Sequence, residues 1–466
     1  MRTCVALLVA LALLGPRAFG QDETPPPAPQ EEGGGSEGPP APAPDPTQDP
    51  LPDPTRDTTQ EPAPAAEGAA SAPLDEAPAL THPRVQWPMT PEALVEHLRL
   101  IASAHPEVAR LETFGQSAGG RPLVALRLGA REAAPILFVG EHRGTASAAP
   151  EAMVELAWRL CEDLARDEEL RAFFAQRTLI LAPALDPDRR VAGEPPAVRF
   201  ELNFPSGWQP ESVRPGAGRT SLARPETLAV ARYLSELRSA SVVLGFTERL
   251  PRGSAYPGAE LPTADAEVHT RLRAALELPG HGAPVPWFEL GSPGGGLLDF
   301  AYQARGLFAL ALPLPGEDEL VAGRAAAYVE PLRTWVLGCL RQLPRVELAH
   351  EGLERLGSDT WQLDVRIANA GLVPTLSAQQ RQRERGADVA LELVGAKLVA
   401  TAKKTTHQAP YTDASFQLQS PLAAGTLAGS EGRWLRLILE GQSGAEVRVT
   451  SRSPWAGTDA LSLVLP

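Results

Sequence analysis

Residues 134–160 read APILFVGEHRGTASAAPEAMVELAWRL, and the reading of this stretch decides the fold. Ile136, Leu137, Phe138 and Val139 make a short apolar run, the signature of a buried strand. Gly140, Glu141 and His142 follow, and then a polar turn. From Pro150 onward the period changes, with Met153, Val154, Leu156, Ala157 and Leu160 on one side of a helix. A lone histidine at the carboxyl end of a buried strand sits where open α/β sheets place their chemistry.

Working outward, the same alternation recurs. Thr90-Pro91-Glu92 opens a helix with a capping hydroxyl and a proline at its first position, carrying Leu94, Val95, Leu98 and Leu100. A tight turn at residues 118–122 leads to a strand with imperfect alternation at Leu123, Ala125, Leu126 and Leu128. Residues 178–182 (TLILA), 241–246 (SVVLGF) and 307–312 (LFALAL) are further short buried strands. Helices are predicted from Pro225 through Leu237 and over 262–278, 297–303 and 325–343, with loops over 189–220 and 291–296. No hairpin signature is visible. The pattern predicts an α/β domain over residues 87–345, a mixed sheet covered by helices on both faces. After Pro344 the period becomes two, at Trp361, Leu363, Val365 and Ile367, at Val389, Leu391 and Leu393, and at Leu461, Leu463 and Leu465. Turns rich in Gly, Asn and Ser separate these runs, so residues 346–466 read as a small β-sandwich.

The chain of 466 residues has room for both domains. Residues 1–20 have a basic start, an apolar run from Val5 to Leu14 and a small-residue end at Ala18-Phe19-Gly20. They read as a secretory signal peptide, with a retained N-terminal anchor as the alternative. The expected location is therefore outside the cytoplasm: periplasmic, cell-surface or extracellular. No later stretch approaches eighteen consecutive apolar residues, so an integral membrane protein is not expected. Residues 21–80 are Pro/Ala-rich with thirteen Asp or Glu and one Arg. Such a segment buries too little apolar surface to offset its ordering entropy and is expected to be a disordered acidic linker. It carries most of the net charge of −14, leaving about −4 for residues 81–466. There is no basic stripe to suggest nucleic acid. Cys161 and Cys339 lie in helical runs and read as buried thiols, and His407 reads as a solvated loop histidine.

Several landmarks stand in one order along the first domain. His105-Pro106, Phe114-Gly115-Gln116-Ser117 and Gly120-Arg121-Pro122-Leu123 come first. The strand into His142 follows, then residues 183–188 (PALDPD) and 201–208 (ELNFPSGW), Pro225-Glu226-Thr227, and Asp299-Phe300-Ala301-Tyr302. This ordered set resembles the zinc carboxypeptidase family, the carboxypeptidase A-like metallopeptidases. The sandwich resembles the all-β modules appended to secreted bacterial members, most recognisably in residues 367–375 (IANAGLVPT).

The resemblance implies a zinc ion held by a His, a Glu three residues later and a second His from a distant strand end, with a later glutamate as general base. In this sequence the first position is His142, but the second reads Thr145, the third Phe246 and the general-base position Ala311. A hydroxyl is a poor zinc ligand, and a phenyl ring is none. Without the carboxylate nothing at position 311 takes a proton from a metal-bound water. The arginine of the family's asparagine-arginine-asparagine loop is missing as well, because Phe204 follows Asn203 directly.

The sequence thus points to a secreted pseudoenzyme of the family, non-catalytic, with no cofactor expected. Its vestigial cleft would receive a peptide or a cell-envelope component, or serve structure alone. The alternative is an active zinc metallocarboxypeptidase with a rebuilt metal site, drawing on His142 and on Glu141, Asp186, Asp188, Glu201 and Glu248, with His281 as the other available histidine. A purely structural or adhesive protein is the third reading. A serine hydrolase is excluded by the lack of a Gly-x-Ser-x-Gly elbow, and a dinucleotide fold by the glycine spacing after residue 139.

Overall fold

The computed structural model describes residues 88–130, 135–141, 149–192, 197–247, 255–258, 263–276, 285–286, 296–313, 328–416 and 421–466. Of Glu141, Ala192, Thr247 and Pro313 only the backbone is described. The expected signal peptide and linker lie outside these residues.

The short apolar runs become neighbouring strands. β1 (Ala109–Gln116), β2 (Pro122–Gly129), β3 (Ile136–Glu141), β4 (Thr178–Ala182), β5 (Ala240–Thr247), β6 (Ala255–Tyr256), β7 (Val285–Pro286) and β8 (Phe308–Pro313) form one sheet. Its order is β1-β2-β4-β3-β5-β8-β6-β7. The centre, β4-β3-β5-β8, is parallel, and β1, β2 and β6 bring antiparallel pairings to its flanks. The helices are α1 (Pro91–Ala104), α2 (Ala149–Arg166), α3 (Glu168–Phe174), α4 (Pro187–Ala192), α5 (Pro225–Glu236), α6 (Ala266–Ala275), α7 (Leu297–Asp299) and α8 (Val329–Gln342).

Side-chain alternation divides the sheet into two apolar faces. Leu137, Val139, Leu179, Leu181, Leu244 and Leu310 pack with α1, α2 and α8. Ile136, Phe138, Ile180, Val243 and Ala309 pack with α5 and the segment from Leu297 to Ala301. Each fully buried Leu, Ile or Phe contributes about 1.5–3 kcal/mol, so both faces are needed to hold the sheet. α1 starts as its sequence dictates: Thr90 Oγ1 accepts the Ala93 N–H at 3.2 Å and Pro91 occupies the first turn.

The structure corrects several details of the sequence reading. Leu100 is 38 % exposed, because it lies about 200° around the helix from Leu98; Ile101 takes its place in the core. A hairpin does exist. β1 pairs antiparallel with β2 around the turn after Ser117, where Gly120 adopts φ +76°. Its alternation is illegible because β2 is buried on both faces, at Leu123, Val124, Ala125 and Leu126. The loop expected over 189–220 begins inside helix α4, and α6 is shorter than its 262–278 pattern.

The C-terminal part is two antiparallel sheets, of order β13-β12-β15-β10-β9 and β14-β11-β16-β17. The strands are β9 (Val346–Arg355), β10 (Thr360–Asn369), β11 (Val389–Val394), β12 (Lys397–Lys404), β13 (Thr412–Ser415), β14 (Leu422–Gly425), β15 (Gly432–Glu440), β16 (Glu446–Ser453) and β17 (Gly457–Val464). A short helix α9 (Ala378–Gln382) precedes β11. Trp361, Leu363, Val365 and Leu437 from one sheet meet Val389, Leu391, Val447 and Val449 from the other.

The joint between the two parts is closely fitted. Asn369 is buried; its Oδ1 accepts the N–H groups of Arg345 and Gly371 at 3.0 and 3.1 Å, and its Nδ2 donates to Val373 and Ala428 carbonyls. A Cβ on Gly371 would meet the Leu343 carbonyl oxygen at 2.0 Å, so only glycine fits there. The Ala378 N–H donates to Asp265 and Gln379 donates to the Gln303 carbonyl, tying α9 to the α/β domain.

Candidate functional site

The carboxyl ends of β3, β4, β5 and β8 lie side by side, the usual place for a site in such a sheet. β3 delivers Gly140 and Glu141 there. Gly140 is required by packing, since a Cβ would stand 2.8 Å from Leu185 and 2.9 Å from the Phe138 ring. His142, Thr145, Glu248 and His281, and the side chain of Glu141, lie outside the described residues.

Phe246 and Ala311 are described, and both are fully buried. The parallel register pairs Phe246 with Leu312 and Gly245 with Ala311. Alternation therefore places Phe246 on the α1/α2/α8 face and Ala311 on the α5/α7 face, in separate apolar clusters. Zinc requires nitrogen, oxygen or sulfur donors, and these two side chains offer none. Among the described residues no group of three or more His, Cys, Asp or Glu is placed to hold a metal ion. The described residues do not fit a zinc site.

Among the described residues, Asp186, Asp188 and Glu201 each have basic partners. Asp186 is buried in a two-pronged ion pair with Arg224, at 2.7 and 2.9 Å. Arg224 also donates from Nε to Glu226 at 3.0 Å, and Glu226 accepts the Ala118 N–H at 2.9 Å. Burial works against the charge on Arg224, but its hydrogen bonds to Asp186 and Glu226 prevail and raise its pKa. Asp188 accepts from Ser117 Oγ at 2.8 Å, the Gly119 N–H at 2.6 Å and Arg121 at 2.8 Å. Burial alone would raise its pKa, yet these donors hold it below the ordinary carboxylate value. Glu201 is held by Arg199 at 2.5 and 3.0 Å and approached by Arg189 at 3.5 Å, and its pKa is likewise lowered against the effect of burial. Asn203 uses its whole side-chain amide within the same loops. It accepts from the Arg224 N–H and Thr227 Oγ1, and donates to the Ala217 and Thr220 carbonyls.

These contacts join the segments around Ser117, Arg121, Asp188 and Asp186, Asn203, and Glu226 into one polar framework. Its chemistry is that of a scaffold, because every carboxylate in it is neutralised by a guanidinium or by backbone N–H groups. Sequence reasoning found the acids and missed their partners. The signal was present, since Arg199 and Arg224 each stand two residues before the glutamate they bind.

A second miss is His269, which is fully buried against β8. Its Nδ1–H donates to the Asp265 carbonyl at 2.9 Å, and its Nε2 accepts the Ala309 N–H at 3.3 Å. It caps a backbone donor on β8, which pairs with the short β6 only through Ala311. Burial pushes its pKa down to about 4, so it is neutral at pH 7. Its place on α6, three residues before Leu272 and seven before Leu276, put it on the apolar stripe. The remaining expectations concern side chains away from this end: Cys161 and Cys339 are buried free thiols, and His407 is exposed.

Residues 94–191 match the profile of the zinc carboxypeptidase family, and residues 345–464 match that of a domain of unknown function, DUF8731. Among solved structures, thrombin-activatable fibrinolysis inhibitor is 13 % identical, with 57 % of this chain and 78 % of that one covered and a TM-score of 0.46. Carboxypeptidase A from Helicoverpa armigera is 16 % identical, covering 54 % and 73 %, with a TM-score of 0.45. A metallo-carboxypeptidase from Burkholderia cenocepacia is 22 % identical, covering 53 % and 68 %, with a TM-score of 0.40. No curated protein matches. The α/β domain is carboxypeptidase-like in sequence profile and in its mixed, helix-covered sheet, and the C-terminal β region is a separate domain. Among the described residues no helix is long and apolar enough to cross a membrane.

Proposed function

We propose that this chain is an exported, non-catalytic carboxypeptidase-like protein, whose strand-end cleft binds a peptide or cell-envelope component or serves as scaffold. The observation that carries this reading is the placement of Phe246 and Ala311. Both are fully buried and carry no donor atom, at the positions that the family resemblance assigns to a ligand and a base. General-base catalysis needs a titratable group within hydrogen-bond reach of the reacting water, and a methyl group cannot supply it. The carboxylates that a rebuilt centre would recruit support the same reading. Asp186, Asp188 and Glu201 are committed to arginines, and freeing Asp186 or Glu201 would leave an unpaired buried charge.

Hydrolysis of a panel of peptides, with C termini free and blocked, tests the reading on the full chain in the presence of zinc. No turnover above buffer is expected. Turnover abolished by His142→Ala would establish the rebuilt enzyme instead. Export is tested separately, by a mature N terminus at Gln21.

A further inference from the structure

At the amino end of β3, opposite the strand-end framework, the α/β domain and the sandwich enclose a groove of about 570 Å³. Three arginines from three different segments line it. Arg177 precedes β4, Arg345 lies in the joint, and Arg366 stands on β10.

Arg366 is half-buried, and its side chain has neither a hydrogen bond nor an ion pair among the described residues; its Nε is shielded from solvent and unsatisfied. It lies over Gly432, where a Cβ would stand 3.0 Å from Nε, and 5.4 Å from the Trp434 ring. Arg177 is only 6 % exposed. It donates from Nε to the Leu340 carbonyl at 3.0 Å and from Nη1 to the Phe173 carbonyl at 3.3 Å. Those carbonyls belong to the last turns of α8 and α3 and meet part of its charge. No carboxylate among the described residues pairs with it. Burial chiefly, with Arg345 and Arg341 nearby and Glu347 offsetting only part of their effect, pushes its pKa down to about 10.

The groove's two acids do not balance this set. Glu347 pairs with Arg345. Asp459 accepts the Leu348 and Ala460 N–H groups at 2.7 and 2.9 Å. A shielded guanidinium donor with no acceptor is costly unless something supplies one.

We infer that this interdomain groove is a binding site for a small polyanion, a phosphate or polycarboxylate group, held by Arg366, Arg345 and Arg177. Guanidinium groups form charge-assisted, often bidentate bonds with both chemistries. Bridging two domains, such a ligand would stabilise the joint and raise the unfolding temperature. The site is remote from the strand-end cleft and stands whether or not that cleft is catalytic.

Titration calorimetry of the full chain with inorganic phosphate and with citrate tests this, read beside thermal unfolding. The net charge of −14 disfavours diffuse anion accumulation, so saturable binding reports a local site. One anion per chain is expected, weakened about tenfold or more by Arg366→Gln and also by Arg345→Gln. Both positions carry less structure than Arg177, and circular dichroism of each variant verifies its fold. The tighter probe assigns the source, phosphate or polycarboxylate. Absence of saturable binding by both probes, or binding unchanged in folded Arg366→Gln, overturns the inference.

Discussion

Two arginine-rich regions lie at opposite ends of the same sheet, and they differ in what the arginines face. At the carboxyl ends of the strands, Arg121, Arg189, Arg199 and Arg224 face Asp188, Glu201, Asp186 and Glu226. At the amino ends, Arg177 and Arg366 form no ion pair among the described residues, and the two acids of their groove, Glu347 and Asp459, are engaged elsewhere. The first set is internally neutral and binds loop to loop. The second leaves positive charge over. Charge alone does not mark a ligand site; charge without a partner does.

The sharpest way to break this contrast is Arg224→Met. It strands Asp186 and Glu226, both buried, and is expected to cost about 3–5 kcal/mol in denaturant unfolding. A cost under about 1 kcal/mol would mean that the framework is not what holds these loops.

Next in size is a pH effect at His269. Folded, it takes up its proton near pH 4; unfolded, near the ordinary histidine value of 6.5. As pH falls between these values the unfolded chain is protonated first, so stability present above about 6.5 is lost, up to roughly 3 kcal/mol. Asp299 acts in the opposite sense: its pKa is raised to about 6, chiefly by burial, so the folded state gains its proton first as pH falls. Comparing wild type with His269→Leu isolates the histidine, and the variant's stability should fall less between pH 6.5 and 4.

Asp188→Ala is expected to cost less, about 1–3 kcal/mol, because Gly119 and Arg121 are open to solvent at least in part and water replaces some of the lost acceptor. The smallest effect belongs to Arg366→Gln in anion-free buffer. With only the Trp434 ring to lose, its unfolding free energy should change by under about 1 kcal/mol. A large loss there would turn Arg366 into a structural residue and erase the difference between the two regions.

The layered α/β domain and the sandwich were legible because their apolar runs have clear length and period, as at residues 136–139 and 361–367. The β1–β2 hairpin was not, since a strand buried on both faces shows no alternation. The family landmarks were legible as residues but not as a network. Arg121, Asp188 and Ser117 meet only through folding, across separations that no local pattern records. The resemblance also offered no way to see that Phe246 and Ala311 fall on opposite faces, which follows from the strand register alone. Asn369 and Gly371, conspicuous in IANAGLVPT, owe their place to the interdomain joint, which is a relation between domains and not within a motif.

Zinc content of the full chain, after equilibrium dialysis against zinc and then buffer, tests the loss of the metal centre most directly. No stoichiometric zinc is expected, and the same value in His142→Ala. One zinc per wild-type chain, lost in His142→Ala, would contradict that loss and place a working metal centre at the end of β3.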